Sequence, residues 1–354
     1  MRDIGNKKVF IYGTGTFARD VLDVLTRHHL TVSGFLNHYP RQITIQELQI
    51  QQPDTIPMDI RPNSAVVIGI HNRDANIAAI ISRLNSLGFK QIITPIDLYD
   101  EFADKLGTRY WLTKRTFYDG YKEELNSTAN LFEDVTSRDL YNQLIQFRLS
   151  GDYSILPQPD LEHQYFPPDI PLWKMPLRFV DCGAFDGDTL RNFINADIPL
   201  EAVAAFEPDE NNFHKLAHFA KENQKLLPNT TLWPYGVYSS TTQLKFTTGQ
   251  GEGSKIISTG GNILQCVSLD DAIPNFAPNL IKMDIEGSEY EALLGAKNLI
   301  NRYRPGLAIA IYHCPEHLWQ IPLLIEQMAN NEYTYYLRAH AFNGFELILY
   351  AVPK

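Results

Sequence analysis

Residues 178–189 read Arg-Phe-Val-Asp-Cys-Gly-Ala-Phe-Asp-Gly-Asp-Thr, a short apolar run that leads into a loop with two glycines. Gly183 and Gly187 allow the backbone to turn tightly and to approach a ligand, and the helix that follows presents its N-terminal amides. The acidic residue Asp181 precedes the first glycine, which distinguishes this loop from a GxGxxG dinucleotide fingerprint. A carboxylate here can meet a cationic ammonium, whereas it would repel a pyrophosphate. The loop therefore favours a ligand that carries an ammonium group.

Around this loop, short apolar strands alternate with amphipathic helices, which predicts a mostly parallel sheet with helices on its faces. The predicted strands are 178–182, 202–206, 231–237, 280–283, 307–312, 333–338 and 345–352, and the predicted helices are 189–195, 209–226, 289–302 and 315–330. Because the last two strands are adjacent, we expect an α/β fold with a doubly wound seven-stranded sheet and an antiparallel edge. Residues 244–247 and 266–269 predict an added hairpin, with a glycine-rich turn at Gly249, Gly251 and Gly253.

A second acidic residue stands at the end of the next predicted strand. Ligands of open α/β sheets bind beyond the carboxyl ends of the strands, and Glu207 lies there, 20 residues beyond Gly187 and just before Pro208. A carboxylate at this point can accept both hydroxyl hydrogens of a ribose. With the glycine loop, it indicates an adenosine-type ligand without a 2′-phosphate. The structural alternative is that Asp181 caps a turn and Glu207 is a solvated strand end.

Ionisable residues also follow the later strands. Asp284 and Glu286 lie two positions apart after the fourth strand, His313 follows the fifth, and His340 follows the sixth. We expect these groups to converge where an acceptor would bind. The alternatives are that Asp284 caps the following helix, for which Ser288 competes, and that both histidines are structural.

The segments VDCGAFDGDT, AFEPDENNF, VSLDD, IKMDIEGSEYEALLGA and IYHCPEHLWQIPLLI resemble the FkbM family of S-adenosylmethionine (SAM)-dependent methyltransferases. The resemblance covers about residues 130–354, and the IKMDIEGSE block is its most specific part. It implies a class I methyltransferase-type fold and transfer of a methyl group to a hydroxyl of a sugar, glycan or small metabolite. It also implies that Asp181, Gly183 and Gly187 hold the methionine part of SAM, that Glu207 binds the ribose, and that the turn at Gly236 and Val237 lies near adenine. The neighbouring residues expected at the cofactor are Ala184, Asp188, Thr189, Pro208 and Asp284.

A hydroxyl is a poor nucleophile at neutral pH, so a positioned base should contribute about 10²–10⁴-fold to the rate. His313 is the first choice because the ordinary pKa of a histidine, about 6.5, suits that task. Asp284 could orient His313 or take the proton itself. In a competing version a divalent ion on Asp284 and Glu286 acidifies the hydroxyl as a Lewis acid. We do not favour a metal, because no third ligand is evident.

The first hundred residues predict a smaller Rossmann-like parallel-sheet domain of four strands. Gly13-Thr14-Gly15-Thr16-Phe17-Ala18 follows a strand and opens a helix, the context that a GxGxxA fingerprint requires. Asn37, however, stands where an NAD-binding domain places an acid for the ribose. This domain either binds a nucleotide or nucleotide-sugar or serves as a scaffold. Two further functions remain open: an NAD- or nucleotide-sugar-dependent oxidoreductase or epimerase, and a non-catalytic SAM- or nucleotide-binding protein.

Six prolines between 157 and 176 interrupt helices and strands, so we place a domain connection there. The expected division is a Rossmann-like domain at 1–100, a mostly helical connection with a proline-rich end at 101–175, and a methyltransferase domain at 176–354.

Composition excludes several partners. The net charge is −10 with no basic run, which argues against nucleic acid. No apolar stretch approaches the ~20 residues of a membrane span, and the start lacks the apolar region of a signal peptide. Cys182, Cys266 and Cys314 are widely spaced and are expected to be reduced, buried thiols. We therefore expect a cytoplasmic protein with a small-molecule or glycan hydroxyl substrate, and a homo-oligomer remains open.

Overall fold

The computed structural model of the chain describes residues 4, 7–40, 42–171, 173–247, 255–256 and 262–354. Within it the chain forms two units, each assembled from separate segments. Unit 1 consists of Met1–Lys122, Leu140–Pro159 and Ala341–Phe345, and unit 2 of Glu123–Asp139, Asp160–His340 and Glu346–Lys354. The expected connection at 101–175 is therefore shared between the two units.

Unit 1 contains a six-stranded sheet in the order β3-β4-β2-β1-β5-β6. Its strands are β1 (Lys8–Tyr12), β2 (Val32–Leu36), β3 (Thr44–Ile45), β4 (Leu48–Gln51), β5 (Ser64–Ile68) and β6 (Gln91–Ile93). The four expected strands are parallel neighbours, and the sheet has two more than expected, because the short β3 and β4 form an antiparallel pair that extends it beyond β2.

The helices of the first 150 residues follow local signals. They are α1 (Thr16–Arg27), α2 (Ile77–Ser86), α3 (Pro95–Leu106), α4 (Lys122–Ala129) and α5 (Val135–Ser150). Helix α3 begins with a capping box, in which the Thr94 and Asp97 side chains each accept from the other's backbone amide, and Pro95 occupies its first turn. Helix α5 ends just before Gly151, whose φ of 75° lies in the left-handed region that favours glycine.

Unit 2 contains a seven-stranded sheet in the order β16-β17-β15-β14-β7-β8-β9. Its strands are β7 (Leu177–Cys182), β8 (Leu200–Phe206), β9 (Thr230–Trp233), β14 (Leu280–Met283), β15 (Gly306–Ala310), β16 (Tyr333–Ala339) and β17 (Leu347–Pro353). The antiparallel pair lies at the expected edge, but β17 is inserted between β15 and β16 and is antiparallel to both. From β7 the chain first adds β8 and β9 on one side of β7, and it later adds β14 and β15 on the other side. The carboxyl ends of β7 and β14 therefore form the switch point, where ligands of such sheets bind.

A second, four-stranded sheet in unit 2 has the order β10-β13-β11-β12. Its strands are β10 (Gly236–Val237), β11 (Thr242–Thr247), β12 (Lys255–Ile256) and β13 (Asn262–Val267). The expected hairpin is present, because β11 and β13 pair antiparallel. The expected turn at Gly249, Gly251 and Gly253 lies outside the described residues. The expected strand 231–237 is wrong: Pro234, which lacks an N–H, separates β9 from β10.

The remaining helices are α6 (Asp188–Asn195), α7 (Glu210–Glu222), α8 (Leu269–Ala272), α9 (Glu289–Leu294), α10 (Lys297–Tyr303) and α11 (His317–Ala329). The expected helix 289–302 is two helices, which meet at Gly295. A Cβ on Gly295 would collide with the carbonyl oxygen of Tyr238, so this close approach requires a glycine. Short 3-10 segments lie at Pro53–Thr55, Arg61–Asn63, Arg115–Tyr121, Tyr153–Ile155 and Phe342–Gly344.

None of the helices in the described part of the chain has the length and hydropathy that a membrane crossing requires. All three cysteines are free; Cys182 and Cys266 are buried as expected, whereas Cys314 is half-buried.

Candidate active site

The loop between β7 and α6 lies at the switch point of unit 2. Gly183 and Gly187 have φ values of 79° and 89°, in the left-handed region that favours glycine. A Cβ on Gly183 would collide with the carbonyl oxygen of Asp284, so the loop and the end of β14 touch backbone to backbone. The amides of Gly183 and Ala184 both donate to the carbonyl oxygen of Phe206 at 3.0 Å, which ties the loop to β8 as well.

Glu207, at the end of β8, is part of the same loop structure. Its Oε2 accepts from the amide of Phe185 at 2.8 Å and its Oε1 from the amide of Asp209 at 2.9 Å. Burial raises the pKa of Glu207 to about 7, against the opposing effect of these two amides. Each carboxylate oxygen has a second lone pair, so both can accept one further hydrogen. The solvated strand end considered above does not describe this residue, which is only 6% exposed.

Asp181 has a partner that the sequence did not suggest. Its side chain is fully buried, and Lys282 Nζ lies 3.0 Å from Asp181 Oδ1. The same ammonium donates to the carbonyl oxygen of Gly183 at 2.6 Å. Burial raises the pKa of Asp181 and Lys282 opposes this, leaving it at about 6. We expected Asp181 to face the ammonium of a ligand, but it faces the ammonium of Lys282. The Asp181–Lys282 pair connects β7, β14 and the glycine loop.

The other expected cofactor residues lie around this loop. Ala184 and Thr189 are buried, Pro208 is half-buried, and Asp188 is exposed in the first turn of α6. Gly236 and Val237, which we expected in a turn, instead form β10, parallel to β13.

Asp284 follows β14 and is held by two tyrosines. Tyr165 Oη lies 3.3 Å from Asp284 Oδ2, and Tyr312 Oη lies 3.5 Å from Asp284 Oδ1. Tyr312 Oη also lies 3.2 Å from Oε1 of the buried residue Glu346. The other oxygen of Glu346, Oε2, accepts a hydrogen bond from Gln164 Nε2 at 2.6 Å. The helix-cap alternative for Asp284 does not hold, because α9 begins at Glu289 with Ser288 as its N-cap residue.

His313 is almost completely buried and is surrounded by carboxylates. Its Nδ1 lies 2.8 Å from Glu289 Oε1, and its Nε2 lies 3.4 Å from Asp284 Oδ1 and 3.8 Å from Glu286 Oε2. Burial lowers the pKa of His313, but Glu289, with Asp284 and Glu286, outweighs burial and raises it to about 10. The surroundings of His313 therefore do not favour the ordinary histidine pKa on which its choice as the base depended.

Glu289 is the centre of this arrangement, and the sequence did not single it out. It is fully buried, its Oε1 accepts from the amide of Ile285 at 2.7 Å, and its Oε2 accepts from the amide of Gly287 at 3.1 Å. His317 Nδ1 lies 3.3 Å from Oε2. Burial raises the pKa of Glu289, but the two histidines outweigh it and hold it far below its usual range.

Of the four ionisable groups expected to converge, Asp284, Glu286 and His313 do so, and His340 has other partners. The Nδ1 of His340 lies 2.7 Å from the carbonyl oxygen of Asp160, and its Nε2 lies 2.7 Å from Tyr350 Oη. Burial lowers the pKa of His340. His340 therefore matches the structural alternative.

In unit 1, Gly13 has a φ of 113°, and a Cβ there would lie 2.9 Å from the carbonyl oxygen of Gly69. Asn37 directly follows β2, and its Nδ2 donates to Thr14 Oγ1 at 3.2 Å. The position where an NAD-binding domain has an acid for the ribose is thus occupied by an amide, which is hydrogen-bonded to the loop of Gly13 and Gly15.

Sequence comparison identifies the domain that carries the site. Residues 181–343 match the family model described as the methyltransferase FkbM domain. The chain contains an FkbM methyltransferase domain. The match includes the glycine loop, Glu207 and the cluster around His313.

The proteins that resemble the chain include two methyltransferases. The hexuronic acid methyltransferase AglP of Haloferax volcanii is 31% identical over 105 residues, which are 28% of this chain and 42% of that protein. The aligned region thus spans less than half the length of that relative. The crystal structure of methyltransferase FkbM from Methylobacillus flagellatus KT superposes with a TM-score of 0.79 at 20% identity, over 99% of this chain and 91% of that chain. This likeness confirms the fold: a class I methyltransferase-type sheet preceded by a smaller parallel-sheet domain.

Proposed function

We propose that this methyltransferase uses SAM and transfers the methyl group to a hydroxyl of a sugar, glycan or small metabolite. The observation that carries the proposal is the position of Glu207 beside the glycine loop at the switch point. The Glu207 carboxylate is held by the amides of Phe185 and Asp209, which fixes it while leaving each oxygen a lone pair for a ribose hydroxyl.

The chain's residues fit such a cofactor. Gly183 and Gly187 form the loop against which the methionine part would bind, with Ala184, Asp188 and Thr189 beside them and Pro208 next to Glu207. Gly236 and Val237 would lie near adenine. Asp181 contributes by holding Lys282, whose ammonium fixes the carbonyl oxygen of Gly183.

When bound, SAM supplies a methyl group on a positive sulfur: the C–S bond breaks with its electron pair moving to sulfur, and a lone pair of the acceptor oxygen forms the C–O bond. The hydroxyl proton must leave, and the oxygen must approach in line with the C–S bond. We place this activation at the cluster of Asp284, Glu286 and His313, which adjoins the glycine loop through the backbone of Asp284.

The charge of the cluster supports a neutral acceptor. Asp284, Glu286 and Glu289 place three carboxylates around one imidazole, and Glu346 lies one hydrogen bond further away, through Tyr312. An anionic acceptor oxygen would be repelled there, whereas a hydroxyl can donate its hydrogen to a carboxylate. The name of the relative AglP suggests sugar acids as one class to test, and such molecules offer both a hydroxyl and a carboxylate oxygen.

The test supplies SAM carrying a ¹³C-labelled methyl group together with a panel of neutral sugars, hexuronic acids and their nucleotide-linked forms, and follows the label by NMR. We expect a methyl ether. Label found only as a methyl ester, or on nitrogen or sulfur, would overturn the hydroxyl assignment. The variant Glu207→Gln should lose most of the transfer, and Glu201→Gln, at the opposite end of the same strand, should retain it.

A further inference from the structure

The geometry around His313 points to a metal site: we propose that Asp284, Glu286 and His313 bind one divalent first-row cation of the Mn²⁺ type. This inference rests on the proposed function and specifies how the acceptor hydroxyl is activated. The sequence alone showed two carboxylates and no third ligand. The structure supplies the third ligand, because His313 from the end of β15 faces both carboxylates.

The orientation of His313 is that of a metal-binding histidine. Metal-bound histidines generally donate their other ring N–H to a carboxylate, which fixes the tautomer and the ring plane. Here Nδ1 lies 2.8 Å from Glu289 Oε1, so Nε2 is the nitrogen directed at Asp284 and Glu286. Glu289 itself suits this supporting role, because its two oxygens already accept from the amides of Ile285 and Gly287.

The distances fit a common cation. Ligand atoms about 2.1 Å from one ion lie about 3.0 Å apart at a right angle and about 3.4 Å apart at the tetrahedral angle. His313 Nε2 lies 3.4 Å from Asp284 Oδ1 and 3.8 Å from Glu286 Oε2. The Glu286 side chain is 48% exposed and can move the few tenths of an ångström that remain. Ligand atoms of Asp284, Glu289 and His313 lie within 4.8 Å of one another, so Glu289, which supports His313, lies next to the proposed site.

The surroundings favour a doubly charged ion. Three carboxylates face His313, and the hydroxyls of Tyr165 and Tyr312 hold Asp284 in place. Carboxylates suit Mg²⁺ and Mn²⁺, but an imidazole ligand shifts the preference towards Mn²⁺ and its neighbours in the first row. Three protein ligands leave positions for the acceptor oxygen. As a Lewis acid, the cation would lower the pKa of the hydroxyl, so that its proton passes to water or a neighbouring carboxylate before the oxygen attacks.

The test measures Mn²⁺ binding to the full-length chain by the loss of the free-ion EPR signal, with thermal unfolding as a check of each variant's fold. We expect one Mn²⁺ per chain and weaker binding of Mg²⁺. We also expect at least about tenfold weaker Mn²⁺ binding in Glu286→Gln and about 10- to 100-fold weaker binding in Glu289→Gln. Glu201→Gln, which removes a carboxylate far along the sheet, should bind as the parent does. Among the described residues, the half-exposed Glu286 carboxylate accepts no buried hydrogen bond that an amide would break. Glu286→Gln therefore decides the question if Glu289→Gln fails to fold.

Absence of saturable Mn²⁺ binding, or equal affinity in Glu286→Gln and Glu201→Gln, would overturn the metal site. S-adenosylhomocysteine binding in the presence of a chelator separates the two proposals. If that ligand binds and Mn²⁺ does not, the metal site fails and the proposed function stands. If that ligand does not bind, the cofactor assignment fails whatever Mn²⁺ does.

Discussion

The buried ion pair between Lys282 and Asp181 makes a quantitative prediction. Asp181 is fully buried and Lys282 is 3% exposed, so neither charge can turn to water when its partner is removed. Removing one member of such a pair costs about 3–5 kcal/mol, because the other charge is left uncompensated. We expect this loss of unfolding free energy in Lys282→Met, whose side chain retains most of the lysine stem.

The penalty should depend on pH. Burial raises the pKa of Asp181 to about 6 even with the ammonium beside it, and removing Lys282 raises it further. At a pH between the pKa of Asp181 in the parent and its higher pKa in Lys282→Met, Asp181 is protonated in the folded variant and ionised in the folded parent. Lowering the pH therefore stabilises Lys282→Met relative to the parent, and the penalty should be smaller at pH 5 than at pH 8.

Urea unfolding at both pH values measures the effect, with Lys297→Met, an exposed lysine in the same unit, as the control. The double variant Asp181→Asn with Lys282→Met should recover part of the loss, because no buried charge remains. A Lys282→Met variant within about 1 kcal/mol of the parent, or a penalty independent of pH, would refute the account of this pair.

Two further predictions concern the cofactor loop. In Gly183→Ala the new Cβ would collide with the backbone of Asp284. The loss of unfolding free energy should therefore exceed the about 1–2 kcal/mol that a left-handed alanine costs by itself, and S-adenosylhomocysteine should no longer bind. Gly88→Ala, at a φ of 97° and with open space around its Cβ, should lose only the free energy of that backbone conformation in urea unfolding and should bind S-adenosylhomocysteine normally. The pKa of Glu207, about 7, predicts that affinity for S-adenosylhomocysteine rises with pH and is about tenfold weaker at pH 6 than at pH 8. Calorimetry at the two pH values checks this, and a flat profile in the parent would contradict the role of an ionised Glu207.

Local signals in the sequence were enough to predict most of the fold. Strand β14 has the expected ends, and the expected α/β alternation produces the two sheets. Errors arose where long-range packing overrides local preference. The apparent single helix 289–302 is two helices that meet at Gly295, where the backbone of Tyr238, from a distant part of the chain, lies against the glycine.

The candidate site was predictable to the extent that it lies at strand ends. Asp284, Glu286 and His313 converge because their strands, β14 and β15, are parallel neighbours. Lys282 was missed because a lysine within an apolar strand gives no sign of a buried partner on the adjacent strand. His340 follows a strand as His313 does, but its partners Asp160 and Tyr350 come from distant parts of the chain, which no spacing rule reveals.

Titration with S-adenosylhomocysteine by calorimetry tests the central claim most directly, with Glu207→Gln and Glu201→Gln compared with the parent. We predict one site per chain, a loss of about 1.5–3 kcal/mol of binding free energy in Glu207→Gln, and no change in Glu201→Gln. NAD should not compete. Failure of S-adenosylhomocysteine to bind, with tight binding of NAD instead, would contradict the account and move the chemistry to the first domain.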